Sequence, residues 1–342
     1  MDSNRPSFTR RGLLAGLVAA PMLVTASRTA VGDAAAEPTH AAAAEGSRLA
    51  PDALKDAKGT KLVMLGTGGG PVPGRRRNMT SHVMLSGGAA YVLDCGLGVT
   101  NQFARTGIPF NAVRSVFITH HHPDHNVEYG PLLLIGWVQG MLPSVRAFGP
   151  PPLKQMTEDY LRSVKATIDF WSEDLKMKAL GMIGVQEVSV AGPVTESEGL
   201  KVTAAVVEHP PVHPALGYRF DFADRSIVFS GDTAPVEVLA RLAKGADVLV
   251  HEAMYVPAVE AYVRGQIARG RPVSFDAWMA HMKADHSPVE DVGRIAQEAG
   301  VKTLVLSHLT PAIDTLLDDT WRAEAAKHFK GEIIVAQDML VV

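Results

Sequence analysis

The sequence predicts a single α/β domain with mixed β-sheets, and three observations support this fold class. Short apolar, β-branched runs alternate with turns and helical segments from about residue 61 onward. Two of these runs, 81–85 and 90–94, flank a Ser-Gly-Gly turn at 86–88 that is typical of a hairpin. Five runs end directly in ionisable residues, as strands do at the ligand-binding edge of α/β sheets. The alternation of strand and helix is irregular, so we expect many antiparallel pairs.

The remaining elements follow from the same local patterns. The first predicted strand, 61–65, ends in the turn Gly66-Thr-Gly-Gly-Gly70, which lacks the Lys-Ser/Thr ending of a P-loop and which we expect beside any metal site. A helix is predicted from Ser287, with Pro288 at its first turn, to Gly300. Further strands are predicted at 115–119, 200–207, 216–222, 226–230, 248–250, 303–306 and 332–336, and helical segments at 97–106 and within 150–184.

Composition narrows the function. The 342 residues are 46% apolar and 20% charged, which is enough apolar character for a sizeable core. The formal net charge of −3 gives no strong field for nucleic acid or for an anionic membrane. Cys95 is the one cysteine, which excludes an intrachain disulfide and a Cys-rich zinc site. Any metal must therefore be bound by histidine and carboxylate, as is typical of catalytic, hydrolytic sites.

The N-terminal region predicts export. Arg10 and Arg11 stand directly before an apolar stretch of 13 residues, 12–24, which is too short to span a bilayer, and an Ala-rich segment follows. This pattern indicates a twin-arginine signal, so we expect residues 1–45 to be signal peptide and linker and residues 46–342 to be the domain. The protein would then be periplasmic or secreted, without a stable membrane anchor after cleavage. A disordered basic tail or a membrane anchor is the alternative interpretation.

A histidine-rich stretch, THHHPDHN at 119–126, directly follows one of the apolar runs. Such a tract is weak support for a metal site when it stands alone. Four further apolar runs, however, end in residues that bind metals or transfer protons: Glu208-His209, Ser230-Gly231-Asp232, His251-Glu252 and Ser307-His308. Because strand ends meet at one edge of a sheet, we expect all five groups to converge.

Spacing distinguishes the members of the tract. Alternate residues leaving a strand point to the same side, so His120 and His122 can share one ion while His121 points away. Asp124 and His125 follow a proline turn and can serve a second ion nearby. Asp232 is the natural carboxylate to bridge the two, and Gly231 beside it lets the backbone approach closely. Histidine with carboxylate suits Zn²⁺, and also Mn²⁺ or Fe²⁺.

The motif His120-x-His122-x-Asp124-His125 resembles the metal-binding motif of the metallo-β-lactamase fold superfamily. Downstream, the chain is similar to the ribonuclease Z, phosphodiesterase and arylsulfatase branch in its order of His209, Ser230-Gly-Asp-Thr233, His251-Glu-Ala253 and Leu306-Ser-His308. The resemblance covers about residues 60–342. It implies an αββα sandwich, in which two mixed β-sheets are flanked by helices.

The resemblance also implies a division of roles. One ion would be bound by His120, His122 and His209, and the other by Asp124, His125 and His308, with Asp232 bridging the pair. Asp124 would orient the bridging hydroxide, His251 would assist the leaving group without binding metal, and Asp94 would support the ligands from behind. His213 competes with His209 for its position. The roles of His213, His281 and His286 stay open.

These features predict an exported dinuclear-metal hydrolase that cleaves phosphodiester or sulfate ester bonds of a small molecule through a metal-bridging hydroxide. Nucleic acid is not expected as a partner, because of the export signal and because no long basic arm is evident between His125 and His209. The alternatives are a ribonuclease Z-like endonuclease, a lactonase or carboxylic ester hydrolase, and a non-catalytic metal-binding module. The pocket wall is expected at 137–172 and 255–284, and the second stretch is apolar enough for a hydrophobic leaving group or a partner subunit. A homodimer is an expectation from the resemblance.

Overall fold

The computed structural model describes residues 54, 58–73, 76–141, 144–178, 180, 183–197, 199–313 and 316–342. The predicted export signal and linker, residues 1–45, and the predicted domain start at residue 46 lie outside these residues. None of the described helices combines the length and the continuous apolar character that a membrane crossing requires.

Six strands form the first sheet, in the spatial order β1 to β6. They are β1 (Lys61–Gly66), β2 (Ser81–Ser86), β3 (Ala89–Leu93), β4 (Val113–Phe117), β5 (Arg146–Gly149) and β6 (Gly184–Glu187). The β1/β2 and β2/β3 pairs are antiparallel, and the other three pairs are parallel. The sheet is therefore mixed, and the predicted hairpin joins β2 to β3.

Seven strands form the second sheet, in the order β13-β12-β11-β10-β9-β8-β7. They are β7 (Gly192–Ser197), β8 (Leu200–His209), β9 (Val212–Phe222), β10 (Ser226–Phe229), β11 (Val248–Met254), β12 (Thr303–Thr310) and β13 (Glu332–Val335). The strands from β10 to β13 are parallel, whereas β7 to β10 form an antiparallel meander. Both sheets are thus mixed, as predicted.

Ten α-helices accompany the sheets in the described residues. They are α1 (Val99–Arg105), α2 (Pro123–Asn126), α3 (Tyr129–Val138), α4 (Leu153–Ser163), α5 (Lys165–Asp174), α6 (Glu237–Leu242), α7 (Val256–Ala268), α8 (Phe275–Asp285), α9 (Val289–Ala299) and α10 (Asp318–Ala325). One buried cluster packs the first sheet against α1, α3 and α4, and another packs the second sheet against α6, α9 and α10. The layers are therefore α, β, β and α.

A third cluster fills the space between the two sheets, and aromatic rings dominate its centre. Phe117 of β4 stacks on Phe148 of β5 with ring centroids 4.9 Å apart, and it meets Phe220 of β9 edge-on at 4.9 Å. Phe117 is fully buried. Such offset and edge-to-face pairs add to the free energy gained by burying the rings. The two sheets are consequently held in a fixed relation below the metal-binding motifs that follow their strands.

The sequence patterns locate most elements but misplace some boundaries. The strand predicted at 115–119 is observed at Val113–Phe117, and the strand predicted at 248–250 runs on to Met254. His251 therefore lies inside a strand whose residues are all buried, not in a loop after it. Residue 281, expected in a loop, lies in α8. The apolar run alone does not reveal where a parallel strand ends, because its neighbour can extend the pairing through polar residues.

Candidate metal centre and active-site cavity

The predicted ligand residues come from four separate parts of the fold. The tract that follows β4 contributes His120 and His122 before α2 and the pair Asp124-His125 within α2. His209 is the last residue of β8, Asp232 lies in the turn after β10, and His308 lies within β12. The structure brings all of them together at one edge of the sandwich.

Three histidines and an aspartate form the first cluster, with ligand-type atoms that all lie within 4.8 Å of one another: His120, His122, His209 and Asp232. The Nδ1 atom of His122 lies 3.1 Å from Nε2 of His120 and 3.0 Å from Nε2 of His209. The three nitrogens therefore face a common point. Asp232 Oδ2 lies 3.8 Å from Nε2 of His120.

The second cluster contains Asp124, His125, His308 and again Asp232. The Nε2 atom of His308 lies 3.2 Å from Oδ2 of Asp124 and 3.1 Å from Oδ2 of Asp232. The Nε2 atom of His125 lies 3.3 Å from Oδ1 of Asp232. Asp232 thus belongs to both clusters, which is the geometry that a bridging carboxylate requires.

Hydrogen bonds behind the ligands orient their rings. Asp94, which has the positive φ of 57°, accepts hydrogen bonds from the backbone N–H and the hydroxyl of Thr119 and from Nδ1 of His125, the last at 2.9 Å. Nε2 of His125 is consequently left facing the second cluster. On the other side, Nδ1 of His209 donates to the backbone carbonyl of Asp285 at 2.8 Å. A second hydrogen bond of this kind fixes the tautomer and the angle of a metal-binding imidazole.

Two glycines bring backbone close to the clusters. Gly231 has a φ of 60°, and a Cβ there would lie 2.5 Å from the carbonyl oxygen of Leu216, so a side chain would force the turn that carries Asp232 to move. Gly70 donates its backbone N–H to Oδ2 of Asp124 at 3.0 Å. The Gly-rich turn after β1 therefore lies beside the site, as the sequence predicted.

The protonation equilibria of the donor set fit bound cations. Burial lowers the pKa of His120 far below its usual value and that of His122 to about 4, so both rings are neutral at pH 7 and offer lone pairs. Burial opposes charge on His308, but the carboxylate of Asp232 raises its pKa to about 10. The carboxylates thus favour positive charge between them. Two buried atoms that face the second cluster, His125 Nε2 and Asp232 Oδ1, have no hydrogen-bond partner, and cations would satisfy both.

The structure corrects the position expected of His251. Its side chain is fully buried, its Nδ1 donates to the backbone carbonyl of Glu252 at 2.7 Å, and it is not among the residues that line the cavity. A proton donor to a leaving group must reach the substrate. In this geometry His251 does not reach the cavity, so its predicted contact with the scissile group is not observed. The reason is the strand extension noted above, which carries residue 251 into the second sheet.

His286 occupies the position that was expected of His251. It lies at the end of α8, lines the cavity, and stacks on the ring of His308 at a centroid distance of 5.6 Å. Its Nδ1 lies 3.1 Å from the carboxylate of Glu252, which also accepts from the backbone N–H of Thr233 at 2.8 Å. Burial lowers the pKa of His286, but the charge of Glu252 outweighs it and raises the pKa. The sequence signal for this residue was the pair His286-Ser287 directly before the predicted helix that ends at Gly300.

Three further histidines that the sequence analysis weighed do not join either cluster. His121 Nε2 donates to the carbonyl of Pro150 at 2.8 Å, so this ring points away from the ions, as predicted. His213 is an exposed residue of β9, and His209 is the one of the two that joins a cluster. His281 pairs with the buried carboxylate of Asp285 at 2.7 Å. It also lines the cavity, five residues before His286 in the sequence.

A cavity of about 720 Å³ opens on both clusters. His122, Asp124, His209, Asp232, His286 and His308 form its polar end. The apolar wall consists mainly of residues from α7 and α8 and from the turns at 71–73 and 311–313. The stretch 255–284 thus forms a wall as predicted, whereas none of the described lining residues comes from 137–172. The volume suits a ligand of drug or nucleotide size.

Comparison with known proteins supports the class that the fold and the paired clusters define. Residues 90–309 match a family described as Beta-lactamase superfamily domain. Ribonuclease Z of Mycobacterium bovis (strain BCG / Pasteur 1173P2) is 32% identical over 283 residues, which cover 82% of this chain and 96% of that protein. The metallo-β-lactamase fold protein YhfI of Bacillus subtilis superposes with a TM-score of 0.60 at 21% identity, covering 83% of this chain and 99% of that one. Human tRNase Z, short form, gives 0.59 at 19% identity, covering 82% and 98%.

The protein is a metallo-β-lactamase fold, metal-dependent hydrolase. More particularly, the chain belongs to the β-lactamase superfamily and has ribonuclease Z proteins among its relatives. These relatives favour the ribonuclease Z-like alternative over the first prediction of a phosphodiester or sulfate ester hydrolase for small molecules. They also weaken the expectation that nucleic acid is not a partner.

Removal of the shared carboxylate tests the two-cluster geometry. We expect Asp232→Ala to lose both cations and His122→Ala to lose about one, because Asp232 belongs to both clusters and His122 to one. Metal content per protein, measured by inductively coupled plasma mass spectrometry after purification with added Zn²⁺, gives the answer. His121→Ala is the matched control, since its ring bonds to Pro150. Equal metal content in Asp232→Ala and the control would contradict the assignment.

Proposed function

We propose that this protein is a dinuclear-metal phosphodiesterase, and that RNA is the first substrate class to test. The single observation that supports this most is Asp232, whose carboxylate lies in both ligand clusters at the polar end of the cavity. A relative that this chain matches over 96% of its length carries the name ribonuclease Z. This favours a phosphodiester over a sulfate or carboxylic ester. A small-molecule diester is the second candidate, favoured by the apolar wall of the cavity.

Two divalent cations bound here would supply a hydroxide nucleophile at neutral pH and charge to stabilise the developing oxyanion. The chain's own residues do the rest. The seven residues of the two clusters would hold the ions, and zinc matches the donor set best. Asp124 is fixed by Gly70 and His308 and faces the cavity. In the proposal its carboxylate accepts a hydrogen bond from the attacking water and orients it.

His286 provides the proton for the leaving group. Glu252 holds Nδ1 of the ring, which leaves Nε2 for the substrate in the cavity. As the ester bond breaks, Nε2–H donates its proton to the departing oxygen, and the leaving alcohol departs neutral. Glu252 is itself anchored by the backbone of Thr233, so the ring has little freedom to turn away. General acids in this position contribute on the order of 10²–10⁴ in rate.

A substrate panel tests the reaction class. We expect the zinc-loaded protein to hydrolyse bis-p-nitrophenyl phosphate and an RNA with an unpaired 3′ extension, and not p-nitrophenyl sulfate or a simple lactone. Chelation should abolish turnover and added Zn²⁺ should restore it. Cleavage is followed by p-nitrophenolate absorbance and by gel. Turnover of the sulfate alone, or of the lactone alone, by metal-loaded protein would overturn the proposal, and bound metal without any turnover would leave a binding module.

Replacement of His286 tests whether this residue, and not His251, donates the proton to the leaving group. We expect His286→Ala to lower kcat by about 10²-fold or more for diesters with alkyl leaving groups and far less for p-nitrophenyl esters, whose leaving groups need no proton. His251→Ala is the comparison variant, and it should show no dependence on leaving group because its ring does not line the cavity. Metal content of both variants is measured in parallel. A leaving-group-dependent loss in His251→Ala alone would restore the first assignment.

Export forms a separate part of the proposal, supported by Arg10 and Arg11 before the apolar stretch. We expect the doubly substituted R10K/R11K chain to remain in the cytoplasmic fraction at full length, because the twin-arginine pair is the feature that the route reads. Arg28→Lys, in the same N-terminal region, is the control and should be exported and shortened like the parent. Immunoblots of cell fractions and the mass of the mature chain are the readouts. Identical distribution of all three chains argues against this signal.

A further inference from the structure

The hairpin of α7 and α8 stands out because it belongs both to the cavity wall and to the metal centre. It connects β11 to α9 and has a small core of its own, formed by Met254, Val259, Val263 and Met279. Five of its residues line the cavity with largely apolar surface: Val259, Tyr262, Val263, Trp278 and Met282. Asp285, the last residue of α8, accepts the hydrogen bond from His209. The hairpin is therefore fixed relative to the ligands.

One face of α8 leads directly to the proton donor. Trp278 and Met282 are spaced four residues apart in α8, so they lie on the same side of the helix. His286 directly follows the last residue of α8, and all three residues line the cavity. A leaving oxygen that takes its proton from His286 must lie within hydrogen-bond reach of that ring. Met282 and Trp278 line the same cavity as that ring, so they are available to contact the group attached to that oxygen.

We propose that the α7–α8 wall is the leaving-group subsite and that it selects phosphodiesters whose leaving group carries a flat aromatic ring. The inference rests on the proposed phosphodiesterase function. The indole of Trp278 meets the ring of Tyr262 edge-on at 6.2 Å, which gives the wall two aromatic surfaces nearly at right angles. An aromatic ring that enters such a corner gains from stacking as well as from burial.

Arg271 adds charge at the same place. Its guanidinium lies 4.6 Å from the centroid of Trp278, and it lines the cavity. The same hairpin holds a second pair of this kind, Arg264 over Phe275 at 3.9 Å. Neither residue of the second pair is among the lining residues described. The two aromatic rings thus lie on the same helix, α8, each under an arginine, and they differ in their access to the cavity. This makes Phe275 a matched control for Trp278.

The aromatic ring can come from two sources with the same chemistry. A nucleobase of RNA is one source, and an aryl group of a small diester is the other. Both present a π-face and an ester or phosphate oxygen on the same molecule. The two sources differ only in the group that joins the ring to the oxygen. Probes with and without ribose therefore distinguish them.

Binding of phosphonates to the zinc-loaded protein tests the subsite without any need for turnover. Phenylphosphonate and methylphosphonate offer the same anion to the ions and differ in the ring alone. We expect the parent protein to bind the phenyl compound roughly tenfold more tightly. Trp278→Ala should remove most of that preference, and Met282→Ala should reduce it about threefold. Phe275→Ala should retain it. Isothermal titration calorimetry gives the affinities, and metal content and Tm are recorded for each variant.

The outcomes separate this inference from the function on which it rests. Equal affinity of the parent protein for the two phosphonates overturns the subsite, and so does an equal loss for both compounds in Trp278→Ala and in Met282→Ala. A phenyl preference without hydrolysis of any diester supports the subsite and contradicts the phosphodiesterase. Uridine monophosphate in the same assay identifies the source: weaker binding in Trp278→Ala indicates a nucleobase, and an effect on phenylphosphonate alone indicates an aryl group.

Discussion

The site depends on one buried carboxylate. Asp232 is almost fully buried and lies within 4 Å of four histidine nitrogens that belong to three different segments of the chain. Burial raises the pKa of Asp232, but the charges of His125 and His308 outweigh it and hold the pKa well below its usual value. A charge in this position is tolerated only when positive groups surround it closely. The buried charge of Asp232 therefore requires that the histidines of the three segments lie close around it.

This requirement explains why the surrounding backbone is so constrained. The turn that carries Asp232 needs the left-handed φ of Gly231 and presses against the carbonyl of Leu216 in β9. On the opposite side, Asp94 takes a positive φ so that its carboxylate can reach both Thr119 and His125. Backbone conformations of this kind persist only when the surrounding structure holds them. The inter-sheet aromatic core supplies that rigidity, because it connects the strands from which both turns depart.

The tract at 119–126 was predictable because its ligands lie within six residues, where local geometry decides which rings point together. The other ligands were predictable as strand ends, and the sandwich followed from the resemblance. Two features were not. Residue 251 looked like a loop residue because its apolar run is short, yet pairing with β12 continues the strand to Met254. His286 is distant in sequence from every ligand but His308, and only the length and direction of α8 bring its ring to the cavity.

The end of α8 links the metal centre to the wall of the cavity. The carbonyl of Asp285 positions His209, and the next residue, His286, lines the cavity. The end of α8 therefore fixes a metal ligand, the proposed proton donor and the apolar wall at once. A change in the length or tilt of α8 would therefore move the carbonyl that holds His209, the ring of His286 and the part of the wall that α8 contributes. In the proposed leaving-group subsite, selectivity is consequently expected to vary at Trp278 and Met282 only as long as the last turn of α8 stays in place.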